Sequence, residues 1–185
     1  MNVETPRLRL APLAAGDIDA FVAYRQHGDV ARYQSWSVDY SRADAEALVA
    51  DQPRGGRLAP GEWLQLAIHP RVSSPGVGEL WGDVAVGCDP VQPDTYELGV
   101  TLAPSAQGRG YAVEAVAAVR DALFEAGAHR VVMQADARNA SVIRLMQRLG
   151  LRHEGTLLDA DWFKGEWTTL ERYAQLRREW AAATA

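Results

Sequence analysis

The hydrophobic positions near the amino end of the chain change their spacing twice. Leu8 and Leu10 alternate with arginines and are followed by Pro12, a pattern that predicts a half-buried first strand. Apolar residues then recur at helical spacing after Asp17 and again after Ser41, and both polar residues are expected to act as N-caps. The pattern therefore predicts one strand followed by two helices.

Alternating apolar residues return in the middle of the chain, in three stretches separated by turn-forming residues. Serine, proline and glycine cluster at residues 73–76, and proline and aspartate mark residues 89–94. Because turns this short join antiparallel neighbours, we expect a meander of strands that covers residues 63–68, 79–88 and 96–102.

A helical pattern follows, in which the apolar residues lie on one face. This helix is predicted to span residues 112–126, with Gly127 as the C′ residue that ends it. A short apolar strand at residues 130–135 suits a buried parallel pairing, and Asn139 is expected to cap a second helix. The order strand, helix, strand predicts one right-handed βαβ crossover.

Two further strands are predicted near the carboxyl end, at residues 152–158 and 166–176. They are expected to pair around the turn Lys164–Gly165, and a short helix closes the chain. A chain of 185 residues, of which 48% are hydrophobic, can bury one core. Residues 1–185 are therefore predicted to form a single domain.

A glycine-rich loop, Gln107–Ala112, stands between an apolar strand and the helix that follows. A turn of this kind presents backbone N–H groups and the positive end of the helix dipole to one point. Gly108 and Gly110 allow an anion to approach closely, and Arg109 can add a positive charge. The loop lacks the glycine-lysine ending of nucleotide hydrolases and the three glycines of dinucleotide-binding folds. It is predicted to bind a pyrophosphate.

Composition limits the kinds of site and partner that this chain is expected to have. Cys88 is the only cysteine and is expected to be a small core residue, and the four histidines lack ligand spacing, so no metal site is predicted. The formal net charge of −5 argues against a nucleic-acid partner and favours amine-bearing ones. No apolar run approaches the roughly 20 residues of a membrane helix, and the first residues lack a leader pattern. We therefore expect a cytoplasmic protein with no membrane partner.

The glycine-rich loop resembles the acyl-CoA loop of the GNAT N-acetyltransferase superfamily. That loop has the form Gln/Arg-x-x-Gly-x-Gly/Ala, which Gln107, Gly110 and Ala112 fill here. Residues 96–104 before the loop and residues 139–150 after it are also similar to that family. The resemblance implies an α+β, GNAT-like fold: a mixed, mainly antiparallel sheet of about seven strands, helices on both faces and one βαβ crossover after the loop.

Two segments most resemble one branch of that superfamily, which includes the ribosomal-protein N-terminal acetyltransferases and enzymes acting on small amines. They are Leu149–Gly155 and Lys164–Trp167. The resemblance implies direct transfer of an acetyl group from acetyl-CoA to a primary amine, either a protein N-terminus or a small molecule, in a ternary complex. A transferase of a bulkier acyl group such as succinyl is one alternative, and a non-catalytic acyl-CoA-binding regulator is another. A homodimer is left open.

The resemblance also implies where acetyl-CoA binds. The pantetheine arm is expected to pair with the backbone of the strand before the loop, beside Asn139, which can cap its helix and bond the arm as well. Tyr33 and Trp36 are candidates to line the acceptor cleft, and Trp36 suits a core position equally. The predicted cofactor-binding residues are Val100, Thr101, Leu102, Gln107, Gly108, Arg109, Gly110, Tyr111, Ala112 and Asn139.

Acyl transfer to an amine needs a base for the nucleophile, a donor for the tetrahedral oxyanion and a proton for the departing thiolate. A backbone N–H of the strand before the loop can serve the oxyanion. Asp161, expected in a loop beside aromatic residues that desolvate it, is the first candidate base, and Glu97 is the second. Many relatives have a tyrosine or a serine where this chain has Met146 and Val142. Ser141 or water is therefore the candidate acid.

Overall fold

The computed structural model describes residues 1–71 and 79–184. The turn predicted at residues 73–76 lies outside the described residues. The strands are β1 (Val3–Glu4), β2 (Leu8–Pro12), β3 (Trp63–Pro70), β4 (Gly82–Cys88), β5 (Thr95–Leu102), β6 (Arg130–Asp136), β7 (Arg152–Phe163) and β8 (Glu166–Leu176). The α-helices are α1 (Ile18–Arg25), α2 (Gly28–Ala31), α3 (Arg42–Asp51), α4 (Tyr111–Glu125), α5 (Ala140–Arg148) and α6 (Arg177–Thr184).

All of these strands belong to one sheet, in the order β1-β2-β3-β4-β5-β6-β8-β7. Every neighbouring pair is antiparallel except β5 and β6, which run parallel on either side of α4. The prediction of a mixed, mainly antiparallel sheet with one βαβ crossover is confirmed. The sheet has eight strands where about seven were expected. The additional strand, β1, is two residues long and is too short to show a hydrophobic period.

Helices cover both faces of the sheet, as predicted. On one face, which we call the α4–α5 face, Val116 and Phe124 of α4 and Met146 of α5 join the larger core cluster with strand residues such as Leu98. On the other, the α1–α3 face, Phe21 packs in a smaller cluster with residues of α3, β3 and the start of the glycine-rich loop region. Side chains alternate along a strand, so neighbours of Leu98 in β5 point to the α1–α3 face.

Helix boundaries follow the predicted signals with one correction. Ser41 caps α3, because its Oγ accepts a hydrogen bond from the Asp44 N–H at 3.2 Å. Asp17 does not cap α1 with its side chain: a 3₁₀ turn precedes the helix, and the Asp17 carboxylate accepts from the Ala14 N–H at 2.9 Å. The acidic residue still satisfies a free backbone donor at a helix start, one turn earlier than expected.

The carboxyl-terminal hairpin also differs from the prediction. Strand β7 continues through Asp159 and Asp161, which were expected in a loop, and Asp161 pairs with Thr168 of β8. A register shift between Leu157 and Asp161 interrupts the pairing, and Asp159 adopts a left-handed φ of +46°. A bulge that contains a left-handed aspartate has the local sequence of a turn, which explains the misplacement.

Candidate active site

The cleft between β5 and β6 is the central feature of the site. The two strands pair through Thr95, Tyr96 and Glu97 of β5, and among the described residues no β5–β6 pair follows Glu97. Strand β5 nevertheless continues to Leu102 and stays paired with β4 along its whole length. From residue 98 onward, one edge of β5 therefore faces a gap, and its backbone groups are available to pair with an extended ligand.

The glycine-rich loop lies at the open end of this gap. A 3₁₀ turn follows β5, and the Gln107 side chain donates to the carbonyl of Leu102 at 3.1 Å, which ties the loop to the strand. Gly108 and Gly110 have φ values of +74° and +79°, a left-handed backbone that favours glycine. Helix α4 starts directly after Gly110, and its first N–H groups have no acceptor within the helix. N–H groups at such a position can donate to an anion.

A cavity of about 340 Å³, the loop cavity, occupies the gap between β5, the glycine-rich loop and α5. It brings together eight residues that the sequence analysis had singled out: Val100, Thr101, Leu102, Gln107, Gly108, Ala112, Asn139 and Ser141. The Asn139 side chain accepts from the Val142 N–H at 3.3 Å, so Asn139 caps α5 at the edge of this cavity. Asp29, Val30, Tyr33 and Gln34 close it from the α1–α3 side, and sequence reasoning had named only Tyr33 among them.

Three predicted cofactor-binding residues, Arg109, Gly110 and Tyr111, do not line the loop cavity. The Tyr111 ring stacks on Trp81, with centroids 4.5 Å apart, and the Arg7 guanidinium lies over the Tyr111 ring, 4.6 Å from its centroid. Arg7 also donates to the carbonyl of Arg109 at 3.0 Å. The contact predicted for these three residues is therefore confined to their backbone N–H groups beside the start of α4.

Arg7 is further anchored by Glu114, in the first turn of α4. The Glu114 carboxylate accepts from Thr5 and from both the backbone and the side chain of Arg7. Burial acts to raise the pKa of Glu114, but these hydrogen bonds outweigh it and hold the pKa below its usual range. The amino-terminal segment thus holds the loop from outside. No local sequence signal could reveal this contact, because Arg7 and Arg109 are 102 positions apart.

A larger cavity, the hairpin cavity, lies on the α1–α3 face and measures about 770 Å³. Gln134, Asp161 and Trp162 are among its lining residues, and Tyr33 lines both this cavity and the loop cavity. At one end, the Lys164 ammonium donates to the Ala31 carbonyl at 2.7 Å and joins the β7–β8 turn to α2. The two cavities therefore meet at Tyr33, with the β7–β8 hairpin as the outer wall.

Glu97 stands at the apex of the β5–β6 gap, on the α1–α3 face. Its carboxylate accepts from the Gln134 side chain at 3.2 Å, and burial raises its pKa above the ordinary value of a glutamate. Glu97 also lines a third cavity of about 220 Å³, the Glu97 cavity, together with Trp63 and Arg172. Because Gln134 lines the hairpin cavity, the Gln134–Glu97 hydrogen bond lies between the second and third cavities.

The other candidate acid–base groups are placed less centrally. Asp161 lies on β7, and the sheet order puts β7 three strands from β5, about 14 Å at the usual strand spacing. The neighbouring Trp162 and Trp167 rings contact each other and remain 61% and 59% exposed, so they do not bury Asp161 as expected. Ser141 lines the loop cavity at the start of α5, where its Oγ is 3.4 Å from the Arg144 guanidinium.

Two residues with open interpretations take structural positions. Trp36 donates its indole N–H to the Arg25 carbonyl at 3.2 Å and covers the Arg25 guanidinium at 3.6 Å, so it belongs to the α1–α3 core rather than to a cavity wall. Cys88 is buried, as expected, and burial raises the pKa of its thiol. A thiol with a raised pKa is a poor nucleophile at neutral pH.

Two features are absent from the part of the chain that the structure describes. Among residues 1–71 and 79–184, no three histidine, cysteine or acidic side chains are grouped so that they could hold a metal ion. In the same part of the chain, no helix is both long enough and apolar enough to cross a membrane.

Comparisons with known proteins agree with this geometry. Residues 7–152 match the family model described as the acetyltransferase (GNAT) domain. A curated relative, the uncharacterized N-acetyltransferase YnaD of Bacillus subtilis, is 34% identical over 87 residues, which are 46% of this chain. The chain spans about half the length of that relative, 51%.

Solved structures share the fold. A GNAT-family acetyltransferase from Bacillus anthracis superposes with a TM-score of 0.83 at 24% identity, covering 97% of this chain and 100% of its own. Spermidine N-acetyltransferase from Vibrio cholerae, solved with CoA and spermine, gives a TM-score of 0.78 at 17% identity, covering 96% and 99%. A ribosomal-protein alpha-N-acetyltransferase solved with coenzyme A gives a TM-score of 0.75 at 16% identity, and the match covers 95% of this chain and 98% of that one.

Proposed function

The chain belongs to the GNAT acetyltransferase family, and we propose that it moves an acetyl group from acetyl-CoA directly onto a primary amine in a ternary complex. The observation that carries this proposal is the β5–β6 gap, which has a glycine-rich loop and a helix N-terminus at its open end and the half-buried carboxylate of Glu97 at its apex. A gap of this kind can bring a thioester and an amine together without a covalent enzyme intermediate.

Members of this family use acetyl-CoA, and the residues of the loop cavity fit it. The loop offers the N–H groups of residues 108–113 to the pyrophosphate, with Gly108 and Gly110 leaving room for it. The free edge of β5 at residues 98–102 offers amide and carbonyl groups to the pantetheine arm, and Asn139 borders the same path. The bound group supplies the activated acetyl carbonyl, and the chain supplies position and proton transfer.

Glu97 is the base that the geometry favours. It lies where the paired part of β5 ends, so it adjoins the inner end of the gap, and its raised pKa brings it closer to the pH at which an amine can be deprotonated. Its carboxylate takes the amine proton directly or through water as the N–C bond forms. A β5 backbone N–H holds the developing oxyanion, and the C–S bond breaks as the thiolate gains a proton from Ser141 or from water.

Asp161 is a second candidate for the base. It lines the hairpin cavity and could meet a large acceptor there, but its strand lies about 14 Å from β5, too far for direct proton transfer at the gap. We therefore assign Asp161 to acceptor contact and Glu97 to proton transfer. Variants of each residue separate the two assignments.

The proposed acceptor is a primary amine of a protein N-terminus or of a small molecule. The structural neighbours named above include one protein that acts on spermidine and one that acts on a ribosomal protein, which supports an amine without choosing between these sizes. A homodimer remains a prediction.

A screen of amines and N-terminal peptides with acetyl-CoA, followed by release of free thiol, tests the proposal. We expect turnover with at least one amine and none in its absence. Acetyl-CoA binding without thiol release across the panel would favour the regulator instead. The missing side-chain donor at Met146, which is fully buried, is the observation that keeps that alternative open. Faster turnover with succinyl-CoA than with acetyl-CoA would favour the bulkier acyl group.

A further inference from the structure

The Glu97 cavity contains an arginine, Arg172, whose charge acts on two carboxylates of the same cavity, Glu97 and Asp89. Arg172 of β8 lies opposite Gln134 of β6, whose amide donates to Glu97. Among residues 1–71 and 79–184, no carboxylate forms an ion pair or hydrogen bond with the Arg172 guanidinium. Besides Glu97, the acidic residue of this cavity is Asp89, whose Oδ1 accepts from the N–H groups of Val91 and Gln92 at 2.8 Å.

Other arginines of this part of the sheet are paired. Arg130 and Arg152 both contact Glu154, and Arg138 forms ion pairs with Asp136 at 2.6 Å and with Glu166. These pairs lie at the surface and each contributes little stability, but they show that acidic partners are available along β6 to β8. Among residues 1–71 and 79–184, Arg172 forms no such ion pair, although it lines a cavity that also contains a carboxylate.

One wall of the Glu97 cavity, on the β3 side of Glu97, is aromatic. Trp63 is 49% exposed, and its indole lies against Gly87, where a Cβ atom would come within 2.5 Å of the ring. Only glycine at position 87 lets the indole lie this flat against the sheet. The cavity therefore combines a carboxylate, a guanidinium and an exposed aromatic surface within about 220 Å³.

We infer that the acceptor is an amino-acid-sized molecule that bears a carboxylate as well as the amine, with the amine at Glu97 and the carboxylate bonded by Arg172. This inference rests on the proposed function and names its substrate class. Glu97 and Arg172 are two strands apart in the sheet, about 10 Å, so a zwitterion can span them while each of its charges meets an opposite one. A polyamine would bring a second cation toward Arg172 and is disfavoured.

Matched acceptors test the inference. The probes are L-phenylalanine, L-leucine and gamma-aminobutyrate, the carboxamide of each, and phenethylamine, assayed with acetyl-CoA by thiol release. We expect kcat/KM to be at least tenfold higher for a carboxylate than for its carboxamide. The amine of an α-carboxamide is less basic than that of the amino acid and is more often neutral, so a preference for the carboxylate cannot come from amine reactivity.

Variants of Arg172 test whether this residue causes the preference for a carboxylate over a carboxamide. Arg172→Gln is expected to reduce the carboxylate-to-carboxamide ratio to about one, and Arg172→Lys to restore part of it, while acetyl-CoA affinity stays within twofold in both. Arg148→Gln removes the same charge from an exposed position on α5 and should leave the ratio unchanged. Acetylation of carboxamides as fast as carboxylates, or a preference that survives in Arg172→Gln, would overturn this inference alone. Acetylation of no amine in any panel would overturn the proposed function together with it.

Discussion

The two sides of the β5–β6 gap are built in different ways. On the cofactor side, the groups proposed to bind acetyl-CoA are backbone groups of β5, the glycine-rich loop and the start of α4, which follow one another in the chain, and residues 29–34 and 139–145 complete the loop cavity. On the acceptor side, the Glu97 and hairpin cavities are formed by side chains from β3, β5, β6, β7 and β8. A backbone site depends on where glycines stand in the sequence, whereas a side-chain site depends on which strands become neighbours. Substitutions on the two sides should therefore separate binding of acetyl-CoA from turnover.

The largest effect is expected at the apex of the gap. Glu97→Gln should lower kcat by about 100-fold or more, because a positioned base contributes roughly 10² to 10⁴, and should change the Kd of acetyl-CoA by less than twofold. Asp161→Asn serves as the comparison and should raise the acceptor KM more than it lowers kcat. Equal losses of kcat in the two variants would contradict the assignment of Glu97 as base.

The pH dependence sharpens the same prediction. Glu97 accepts a proton only when ionised, and burial raises its pKa in the folded protein, so wild-type kcat/KM should rise with pH through a step above the ordinary range for glutamate. In Glu97→Gln this acidic step should disappear, while the rise due to amine deprotonation remains. A variant profile that keeps both steps would assign the lower one to another group.

The next effect is expected at the loop. Gly110→Ala should raise the Kd of acetyl-CoA about tenfold, or about 1.4 kcal/mol, because a left-handed φ of +79° disfavours a side chain and the loop must distort its N–H cradle to accept one. Gly127→Ala is the matched control, since Gly127 has φ +100° at the other end of α4 and open space around it. Both variants should lose similar stability, about 1 kcal/mol, and only Gly110→Ala should lose affinity. Equal affinities would make Gly110 a purely structural turn.

A smaller effect is expected from the contact that holds the loop from outside. Arg7→Ala removes the bond to the Arg109 carbonyl and the stacking on Tyr111, and it should raise the Kd of acetyl-CoA about fivefold, near 1 kcal/mol. Arg9→Ala, on the exposed side of β2, is the control and should leave the Kd unchanged. Isothermal titration calorimetry measures the Kd of acetyl-CoA for both variants. Equal values would show that the Arg7 contact with the loop does not support acetyl-CoA binding.

The smallest effect is expected for the acid. Ser141→Ala should lower kcat only about threefold, because water at the open loop cavity can also protonate the thiolate. The control is the Kd of acetyl-CoA in the same variant, which should not change. A 100-fold loss of kcat would instead make the serine hydroxyl indispensable.

The same difference between the two sides explains which features the sequence could predict. Ser41, Asn139 and Gly127 act within three or four residues of themselves, so their caps and helix ends are readable from local letters and are confirmed. The glycine-rich loop is contiguous as well, which is why the family resemblance drawn from it is confirmed by the family match. Local patterns of this kind identify the part of the cofactor side that β5 and the loop form, whereas Asp29, Val30 and Gln34 of the loop cavity were not predicted.

The acceptor side could not be predicted in the same way. Arg172 and Glu97 line the same cavity only because β6 pairs with both β5 and β8, and no spacing along the chain encodes that order. Asp161 was placed in a loop because a bulge next to an aspartate with φ 46° has the composition of a turn. Arg7 illustrates the same limit, since its contact with the loop spans 102 positions.

Hydrogen exchange of the backbone amides, measured with and without acetyl-CoA, tests the central claim most directly, because that claim assigns cofactor binding to backbone groups of the gap. Acetyl-CoA at saturating concentration should slow exchange in residues 98–102 and 108–113 and leave the β7–β8 hairpin unchanged. Slowed exchange in the hairpin with none in these two segments, at a concentration where binding is demonstrated, would contradict the account.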